Sequence, residues 1–221
     1  MKVVVITGVS SGIGKSLAQH FIAHNHQVYG LSRSKIELKG LQHIKADVTD
    51  YAQITQVFQE VKEKEGRIDI LINNAGMGIS GSIEDTSIED ANYIFQVNMM
   101  GVFHSVKAVL PHMRANHFGK IINIGSVAGV LSIPFQGFYS ASKAAVLSFS
   151  YALANEVSPF GVQVCTILPG DIKTDFTKNR KKNIQEQDVY KTRVHHSLLV
   201  MEKDEQAGMS SEYAARVIYR T

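Results

Sequence analysis

The chain has 221 residues, of which 44% are hydrophobic and 19% charged, and its formal net charge is +3. This length suits one well-buried domain, and the ordinary composition excludes a disordered or low-complexity chain. The modest, scattered positive charge argues against nucleic acid as a partner.

The amino terminus and the cysteine content point to a cytoplasmic protein. The apolar run Val3 to Ile6 is too short for the core of a signal peptide or for a membrane span. The single cysteine, Cys165, excludes an intrachain disulfide, and its apolar neighbours predict a packed thiol in a strand rather than a nucleophile.

The first predicted strand, Lys2 to Thr7, runs directly into a glycine-rich turn and then into the helical pattern Lys15 to His24. Such a turn lets the backbone approach a phosphate and aims the free N–H groups of the helix at it. A phosphate loop for ATP or GTP would need glycine where Val9 stands, so a phosphoryl-transfer enzyme is disfavoured. The glycines of the turn are Gly8, Gly12 and Gly14.

The second predicted strand, Gln27 to Ser32, ends where an NAD-binding unit places an acidic residue against the ribose. Here Ser32 and Arg33 follow instead, so no carboxylate repels a 2′-phosphate and a planar cation is available to bind it. This end of the strand favours NADP(H) over NAD(H), and a solvated surface arginine is the alternative interpretation. Lys35 and Lys39 either strengthen the same pocket or are plain surface charges.

Further strands alternate with helices along the chain. Leu41 to Ala46 ends at Asp47 and Val48, a predicted polar cap before the helix Tyr51 to Glu65, and Ile68 to Ile72 runs into Asn73-Asn74-Ala75-Gly76. This alternation predicts an α/β fold, a single-domain Rossmann-type doubly wound parallel sheet with helices on both faces, over residues 1–221. In that architecture ligands collect at the carboxyl ends of the strands, where these motifs fall.

Two polar residues stand in largely apolar contexts in the middle of the chain. Asn98 lies among the one or two helices expected between Asp85 and Met113, where neighbouring backbone or a functional partner would satisfy its amide. Ser126 follows the fifth predicted strand, Lys120 to Gly125, either to cap a turn or to lie near a nucleotide.

Tyr139 and Lys143 are four residues apart, a spacing that places them on one face of a helix. A nearby ammonium favours the phenolate and lowers the pKa of a tyrosine, so the pair predicts acid–base chemistry. A long helix, Ala141 to Val157, and a sixth strand, Gly161 to Leu168, follow.

The segment 175–210 turns polar and is predicted to form a helical or mobile substrate lid. Its basic cluster could meet an acidic partner. His24, His26, His195 and His196 are expected to be surface or lid residues, and no metal site is predicted. The basic cluster consists of Lys178, Arg180, Lys181 and Lys182.

Taken together, the motifs between residues 3 and 174 resemble those of a classical short-chain dehydrogenase/reductase. They are Thr7-Gly8-x-x-x-Gly12-x-Gly14, Asn73-Asn74-Ala75-Gly76, Asn98, Ser126, Tyr139-x-x-x-Lys143 and Pro169-Gly170, in this order. The resemblance implies an NADP(H)-dependent oxidoreductase that interconverts a ketone or aldehyde and an alcohol by hydride transfer. A non-catalytic NADP(H) sensor on the same fold is the alternative, although a pure binder has no need of a proton relay.

The resemblance also implies the role of each catalytic residue. Tyr139 would exchange a proton with the substrate oxygen, and Lys143 would stabilise the tyrosinate and hold the nicotinamide ribose. Ser126 would orient the substrate oxygen, and Asn98 would anchor a water that relays protons.

The implied cofactor contacts fall on five short stretches of the chain. They are the turn Gly8, Ser10, Ser11, Gly12, Ile13 and Gly14; Ser32 and Arg33 at the 2′-phosphate; Asp47 and Val48 at the adenine; Asn74, Ala75 and Gly76 beside the adenosine ribose; and, around the nicotinamide with Tyr139 and Lys143, Pro169, Gly170, Ile172 and Thr174.

The chain departs from the family pattern in two places. A seventh strand commonly follows the helix seen here as Ser211 to Tyr219, so we expect either a missing tail beyond Thr221 or a sheet that closes differently. The stretch between Ser126 and Tyr139 lacks the Gly-Asn-x-Gly-Gln of many ketoacyl reductases, which counts against an acyl-carrier-protein substrate.

The expected partners are a small-molecule substrate and further copies of the chain. The resemblance implies a homodimer or homotetramer that pairs through Gln96 to Ala115 and Ala141 to Val157. Apolar residues near the site favour a small to medium, fairly apolar carbonyl or alcohol substrate. They are Val130, Leu131, Ile133 and Phe135.

Overall fold

The computed structural model describes residues 1–183 and 189–221. Ten strands lie in this part of the chain. They are β1 (Val3–Thr7), β2 (Gln27–Ser32), β3 (Leu41–Lys45), β4 (Ile70–Asn73), β5 (Ile79–Gly81), β6 (Gly119–Ile124), β7 (Val162–Ile167), β8 (Ile172–Lys173), β9 (Lys181–Asn183) and β10 (Met209–Ser210).

Eight α-helices connect or cover these strands in the described ranges. They are α1 (Gly12–Ala23), α2 (Tyr51–Glu65), α3 (Ile88–Phe95), α4 (Gly101–Ala115), α5 (Gly137–Val157), α6 (Phe176–Asn179), α7 (Lys191–Ala207) and α8 (Ser211–Tyr219). None of the helices described has both the length and the apolar character that crossing a bilayer requires.

The main sheet is parallel and has the strand order β3-β2-β1-β4-β6-β7 among the described residues. All five residues of β1 are buried, as expected for a central strand with helices on both faces. One face packs against α2, α4 and α5, and the other against α1 and α8. The doubly wound parallel sheet predicted from the sequence is therefore confirmed.

Several element boundaries differ from the sequence prediction. The fourth strand begins at Ile70 rather than Ile68, and just before it the Asp69 carboxylate accepts the N–H of Val3 at 2.8 Å. The helix predicted to begin at Ala141 begins at Gly137, where the Ser140 N–H bonds the Gln136 carbonyl. Tyr139 and Lys143 consequently both lie within α5.

The edge strand β7 exposes part of its residues. Cys165 stands in this strand, as predicted, but it is half-buried rather than fully packed. The reason is that β7 pairs only with β6 among the described strands.

The segment predicted as a lid also contains short strands. β9 pairs with β5, and β10 pairs with β8, each in parallel. Pairing partners so distant in sequence leave no local pattern, which explains why they were not predicted. Residues 184–188 of the predicted lid lie outside the described residues.

The basic cluster of this segment pairs with carboxylates of the same chain, although the side chains of Lys178, Lys181 and Lys182 remain 78%, 52% and 44% exposed. Each of its four cations lies in an ion pair, and that of Lys181 with Asp90 is 2.5 Å long. The other pairs are Lys178–Asp175, Arg180–Glu205 and Lys182–Glu202.

Candidate active site

A cleft of about 840 Å³ opens at the carboxyl ends of the parallel strands, where ligands bind in this architecture. The structure brings most of the predicted site residues to its walls. They are Gly8, Ser10, Ser11, Gly12, Ile13, Ser32, Arg33, Asp47, Val48, Asn74, Ala75, Gly76, Ser126, Tyr139, Lys143, Pro169, Gly170, Ile172 and Thr174. Gly14 and Asn98 do not line the cleft and support it from behind.

The glycine turn has the geometry of a phosphate cradle. Gly8 and Gly12 adopt φ values of +74° and +54°, a region that side chains disfavour. A Cβ on Gly14 would stand 2.2 Å from the Gly8 carbonyl oxygen, so only glycine lets α1 pack this closely against the turn. No side chain caps the first turn of α1, and its backbone N–H groups are available for an anion.

Asn74 ties the loop after β4 to this turn. Its Nδ2 donates to the carbonyl oxygens of Thr7 and Gly8 at 3.1 and 2.9 Å. In return, the Thr7 hydroxyl accepts the N–H groups of Asn74 and Ala75, each at 3.1 Å. The two strand ends therefore form one rigid floor.

Arg33 lies at the rim of the cleft. Its Nη1 donates to the Tyr93 hydroxyl at 2.9 Å, which holds the guanidinium over the opening. The buried Ser32 hydroxyl donates to the Ser34 carbonyl at 2.8 Å. Lys35 and Lys39 do not line the cleft, and Lys35 instead pairs with Glu37 on the surface.

Asp47 forms a local turn rather than the predicted cap. Its Oδ1 accepts the N–H and the hydroxyl of Thr49 at 2.9 and 2.8 Å. The residue that caps α2 is Asp50, whose carboxylate accepts the Gln53 N–H. The sequence pattern placed the cap three residues too early because both aspartates are good capping residues.

Tyr139 and Ser126 meet at the inner wall of the cleft. Burial raises the pKa of the Tyr139 phenol above its ordinary value of 10.0, and a hydrogen bond with Ser126 and the charge of Arg180 partly oppose this increase. For the protein alone, this direction is opposite to the one expected from the Tyr-x-x-x-Lys spacing, because desolvation outweighs nearby positive charge. Ser126 also accepts the Ala128 N–H at 3.1 Å, so it caps a turn as well.

Lys143 is buried beside the tyrosine. Its Nζ lies 5.9 Å from the centroid of the Tyr139 ring and donates to the Ile124 carbonyl at 2.8 Å. Burial lowers the pKa of Lys143 to about 8. The ammonium is thus held by the end of β6, within reach of the cleft.

Asn98 lies in a single π-helical turn, Gln96–Met100, between α3 and α4. Its Oδ1 accepts the Met77 N–H at 2.8 Å, and its Nδ2 donates to the Met77 carbonyl and the Ser142 hydroxyl at 3.0 and 2.9 Å. Both amide protons are used within the protein, and Oδ1 alone keeps a free lone pair. The neighbouring backbone therefore satisfies Asn98, one of the two alternatives that its sequence context leaves open.

Thr174 closes the cleft on the side of the glycine turn. Its methyl carbon would stand 3.2 Å from a Cβ on Gly12, so the two residues lie in near contact. The Pro169 carbonyl accepts the Val127 N–H at 3.0 Å and joins the end of β7 to the loop that carries Ser126.

Further cleft residues were missed in the sequence. The Phe176 ring lies with its centroid 5.7 Å from that of Tyr139, tilted by 53°, and Gln136 contacts Met201. Arg180 and Glu205 form a buried ion pair in the same wall. Apart from Gln136, these residues come from the region 175–210, whose strand pairings are long-range, so no spacing signal identifies them.

Comparison with known proteins agrees with this geometry. A family model described as short chain dehydrogenase matches residues 2–185. The chain belongs to the short-chain dehydrogenase/reductase family. A 3-ketodihydrosphingosine reductase of Bacteroides thetaiotaomicron is 45% identical over 212 residues, which cover 94% of this chain and 78% of that relative.

Two solved structures share the fold and differ in the cofactor that they contain. One, from Burkholderia phymatum in complex with NAD, has a TM-score of 0.88 and 26% identity, covering 99% of this chain and 84% of its own. The NADP-bound structure of ElxO has a TM-score of 0.82 and 26% identity, covering 99% and 90%. The chain is therefore an oxidoreductase of this family, and its neighbours bind either dinucleotide.

Proposed function

We propose that this protein is an NADP(H)-dependent oxidoreductase that interconverts a ketone or aldehyde and an alcohol, with Tyr139 as the acid and base. The observation that carries the proposal is the meeting of Tyr139, Ser126 and Lys143 in a cleft that also contains the glycine turn. When bound, NADP(H) supplies or accepts the hydride. The Gly8 to Gly14 turn and the free N–H groups of α1 fit its pyrophosphate.

The protonation state of Tyr139 supports reduction. Because burial raises the pKa of its phenol, the hydroxyl is protonated at neutral pH and can donate its proton to a carbonyl oxygen. Ser126, hydrogen-bonded to the same phenol, is placed to orient that oxygen. Lys143 supplies a positive charge that stabilises the tyrosinate left behind, and the free lone pair of Asn98 can hold a water for proton return.

The preference for NADP(H) rests on the end of β2. Arg33 lies at the cleft rim, and its neighbours Ser32 and Ser34 carry hydroxyl groups rather than a carboxylate that would repel a 2′-phosphate. An arginine held by the Tyr93 hydroxyl offers a preorganised fork for a phosphate monoester.

The mouth of the cleft favours an apolar substrate. Leu131 and Ile133 line it and are 66% and 36% exposed, and Phe176 and Met201 line the facing wall. These surfaces fit an alkyl chain attached to the carbonyl carbon, and the name of the Bacteroides relative indicates a long-chain ketone of this kind. We further propose that 175–210 forms a lid, that the chain is cytoplasmic, and that it pairs with further copies of itself.

The catalytic proposal is tested with Tyr139→Phe. NADPH oxidation with a panel of medium- and long-chain ketones and aldehydes should fall about a thousandfold in this variant, since the phenolic proton is lost. Tyr151→Phe, an exposed tyrosine on the same helix, should retain the wild-type rate. If NADPH binds to the wild-type protein but no carbonyl compound is reduced, the protein is a sensor rather than an enzyme.

The cofactor proposal is tested by titrating NADPH and NADH into the wild-type protein and Arg33→Ala. We expect the wild type to prefer NADPH, and the variant to lose about tenfold or more of that preference through weaker NADPH binding alone. Lys35→Ala, outside the cleft, should leave the ratio unchanged. A wild-type preference for NADH would contradict the role of Arg33.

A further inference from the structure

Arg180 is a buried cation to which the proposed proton transfer assigns no role. Its side chain is 1% exposed and lines the cleft. Its Nη2 pairs with Glu205, whereas Nε and Nη1 have no hydrogen-bond partner among the described residues. Burying the N–H groups of a charged side chain without hydrogen bonds costs free energy. Two such groups beside a cleft therefore point to a ligand that accepts hydrogen bonds from them.

The fold holds this arginine in place. Arg180 immediately precedes β9, and the Lys181 N–H bonds the Gly78 carbonyl at 3.0 Å, which starts the pairing of β9 with β5. A Cβ on Gly78 would stand 3.4 Å from the Arg180 Nε and 3.0 Å from the Phe176 ring. Glycine at this position therefore makes room for the Phe176 ring, which packs beside the guanidinium.

Arg180 lies close to the catalytic tyrosine. The Phe176 ring is shared between them, with its centroid 5.7 Å from the Tyr139 ring centroid and 5.7 Å from the Arg180 Cζ. A molecule whose carbonyl oxygen meets Tyr139 therefore needs to span only one aromatic ring to reach the guanidinium.

The charges around Arg180 indicate whether its free N–H groups bind a neutral oxygen or an anion. Both oxygens of Glu205 are used, one by Arg180 and the other by the Thr177 hydroxyl at 2.5 Å. The negative charge of Glu205 balances the positive charge of Arg180, so the ion pair as a whole is neutral. An added anion would also lie close to the Glu205 carboxylate. A neutral oxygen acceptor fits these donors better than a carboxylate or a phosphate.

We propose that Arg180 determines substrate specificity by donating hydrogen bonds from Nε and Nη1 to a second, neutral oxygen of the substrate, near the carbonyl that reacts at Tyr139. The inference rests on the proposed reductase function and adds a substrate class to it: hydroxy ketones or diketones with an apolar tail.

The test measures binding and turnover separately. In a Tyr139→Phe background saturated with NADPH, medium-chain ketones bearing a hydroxyl two, three or four carbons from the carbonyl are titrated beside the matched deoxy ketones. We expect at least one hydroxy ketone to bind about tenfold or more tightly than its deoxy partner. Adding Arg180→Met should abolish this ratio, whereas adding Lys178→Met, at an exposed member of the same basic cluster, should keep it.

Two further variants distinguish a structural role of the ion pair from hydrogen bonding of Arg180 to the substrate. They are Glu205→Gln and the double variant Arg180→Met/Glu205→Gln. We expect Glu205→Gln to retain the tighter binding of the hydroxy ketone and the double variant to lose it. The affinity for NADPH should be the same in both variants. Equal binding of every matched pair to the Tyr139→Phe protein overturns the inference even if the wild-type enzyme reduces ketones. A binding ratio that depends on Arg180, without turnover in the wild type, overturns the reductase and leaves this site standing. If the keto acid of matched length binds more tightly than the hydroxy ketone, the inference that the site takes a neutral acceptor is wrong.

Discussion

At the residue scale, burial shifts the pKa of both members of the proposed catalytic pair, Tyr139 and Lys143. Desolvation raises the pKa of Tyr139 and lowers that of Lys143 to about 8, so each group is displaced toward its neutral form. For the tyrosine this favours the proton donor that carbonyl reduction needs. For the lysine it means that the folded protein carries a buried ammonium at a cost in stability.

Lys143→Met should therefore stabilise the protein while it abolishes turnover. The unfolded chain holds the lysine proton up to its ordinary pKa of 10.5, whereas the folded chain releases it near pH 8. The penalty is thus fully present below pH 8 and disappears as the pH rises toward 10.5. From this shift, less the lost bond to Ile124, we expect about 2 kcal/mol of added unfolding free energy at pH 7.

Urea unfolding at pH 7 and at pH 9.5 checks this expectation. The advantage of Lys143→Met over the wild type should shrink at the higher pH. Lys203→Met, at an exposed position, serves as the control and should show no such pH dependence. A Lys143→Met protein that is less stable than the wild type at pH 7 would show that the Ile124 contact outweighs desolvation.

At the scale of elements, the π-helical turn Gln96–Met100 connects two walls of the site. It directs Asn98 inward, where the amide bonds both backbone groups of Met77 and the hydroxyl of Ser142 on α5. A π-turn inserts one residue into a helix and commonly marks a functional position. This amide joins the loop after β4 to the helix that carries Tyr139.

Asn98→Ala should weaken both folding and catalysis. Removing the amide leaves the backbone groups of Met77 without partners, for which we expect a loss of about 2 kcal/mol in unfolding free energy and a lower kcat. Asn155→Ala, which removes a surface contact with the Tyr151 carbonyl on α5, is the matched control and should change stability by less than about 0.5 kcal/mol. Equal effects of the two substitutions would argue against a connecting role for Asn98.

At the scale of the whole molecule, α4 and α5 leave an apolar groove between them. Phe103 and Phe149 meet there with ring centroids 6.4 Å apart, and Lys107, Arg114 and Glu156 lie among the lining residues. The groove lies on the two helices through which the sequence predicts that copies of the chain pair. Charges of both signs at its edges suit a two-fold contact with a second copy.

Phe149→Glu should therefore shift the protein toward monomer. The carboxylate would be buried without a partner in the contact between copies, which disfavours association. Size-exclusion chromatography with light scattering measures the mass, and Ser148→Glu, at the exposed neighbouring position, should leave it unchanged. If Phe149→Glu has the same mass as the wild type, the chain pairs through another surface or not at all.

The sequence by itself determined the chain order of the six strands of the main sheet and placed their carboxyl ends to within about one residue. The β-branched run of β1, the glycines at 8, 12 and 14 and the Tyr139–Lys143 spacing are local signals, because they reflect the backbone geometry and burial of neighbouring residues. Parallel topology then brings the strand ends to one cleft, whatever lies between them.

Only the tertiary structure decided the properties that depend on residues far apart in the chain. The direction of the Tyr139 pKa shift follows from the burial of the phenol in the folded chain, and three cations of the basic cluster pair with Asp90, Glu202 and Glu205. Arg180 joins the cleft because β9 pairs with β5, about a hundred residues earlier. Desolvation and long-range pairing are properties of the packed chain, and residue spacing does not encode them.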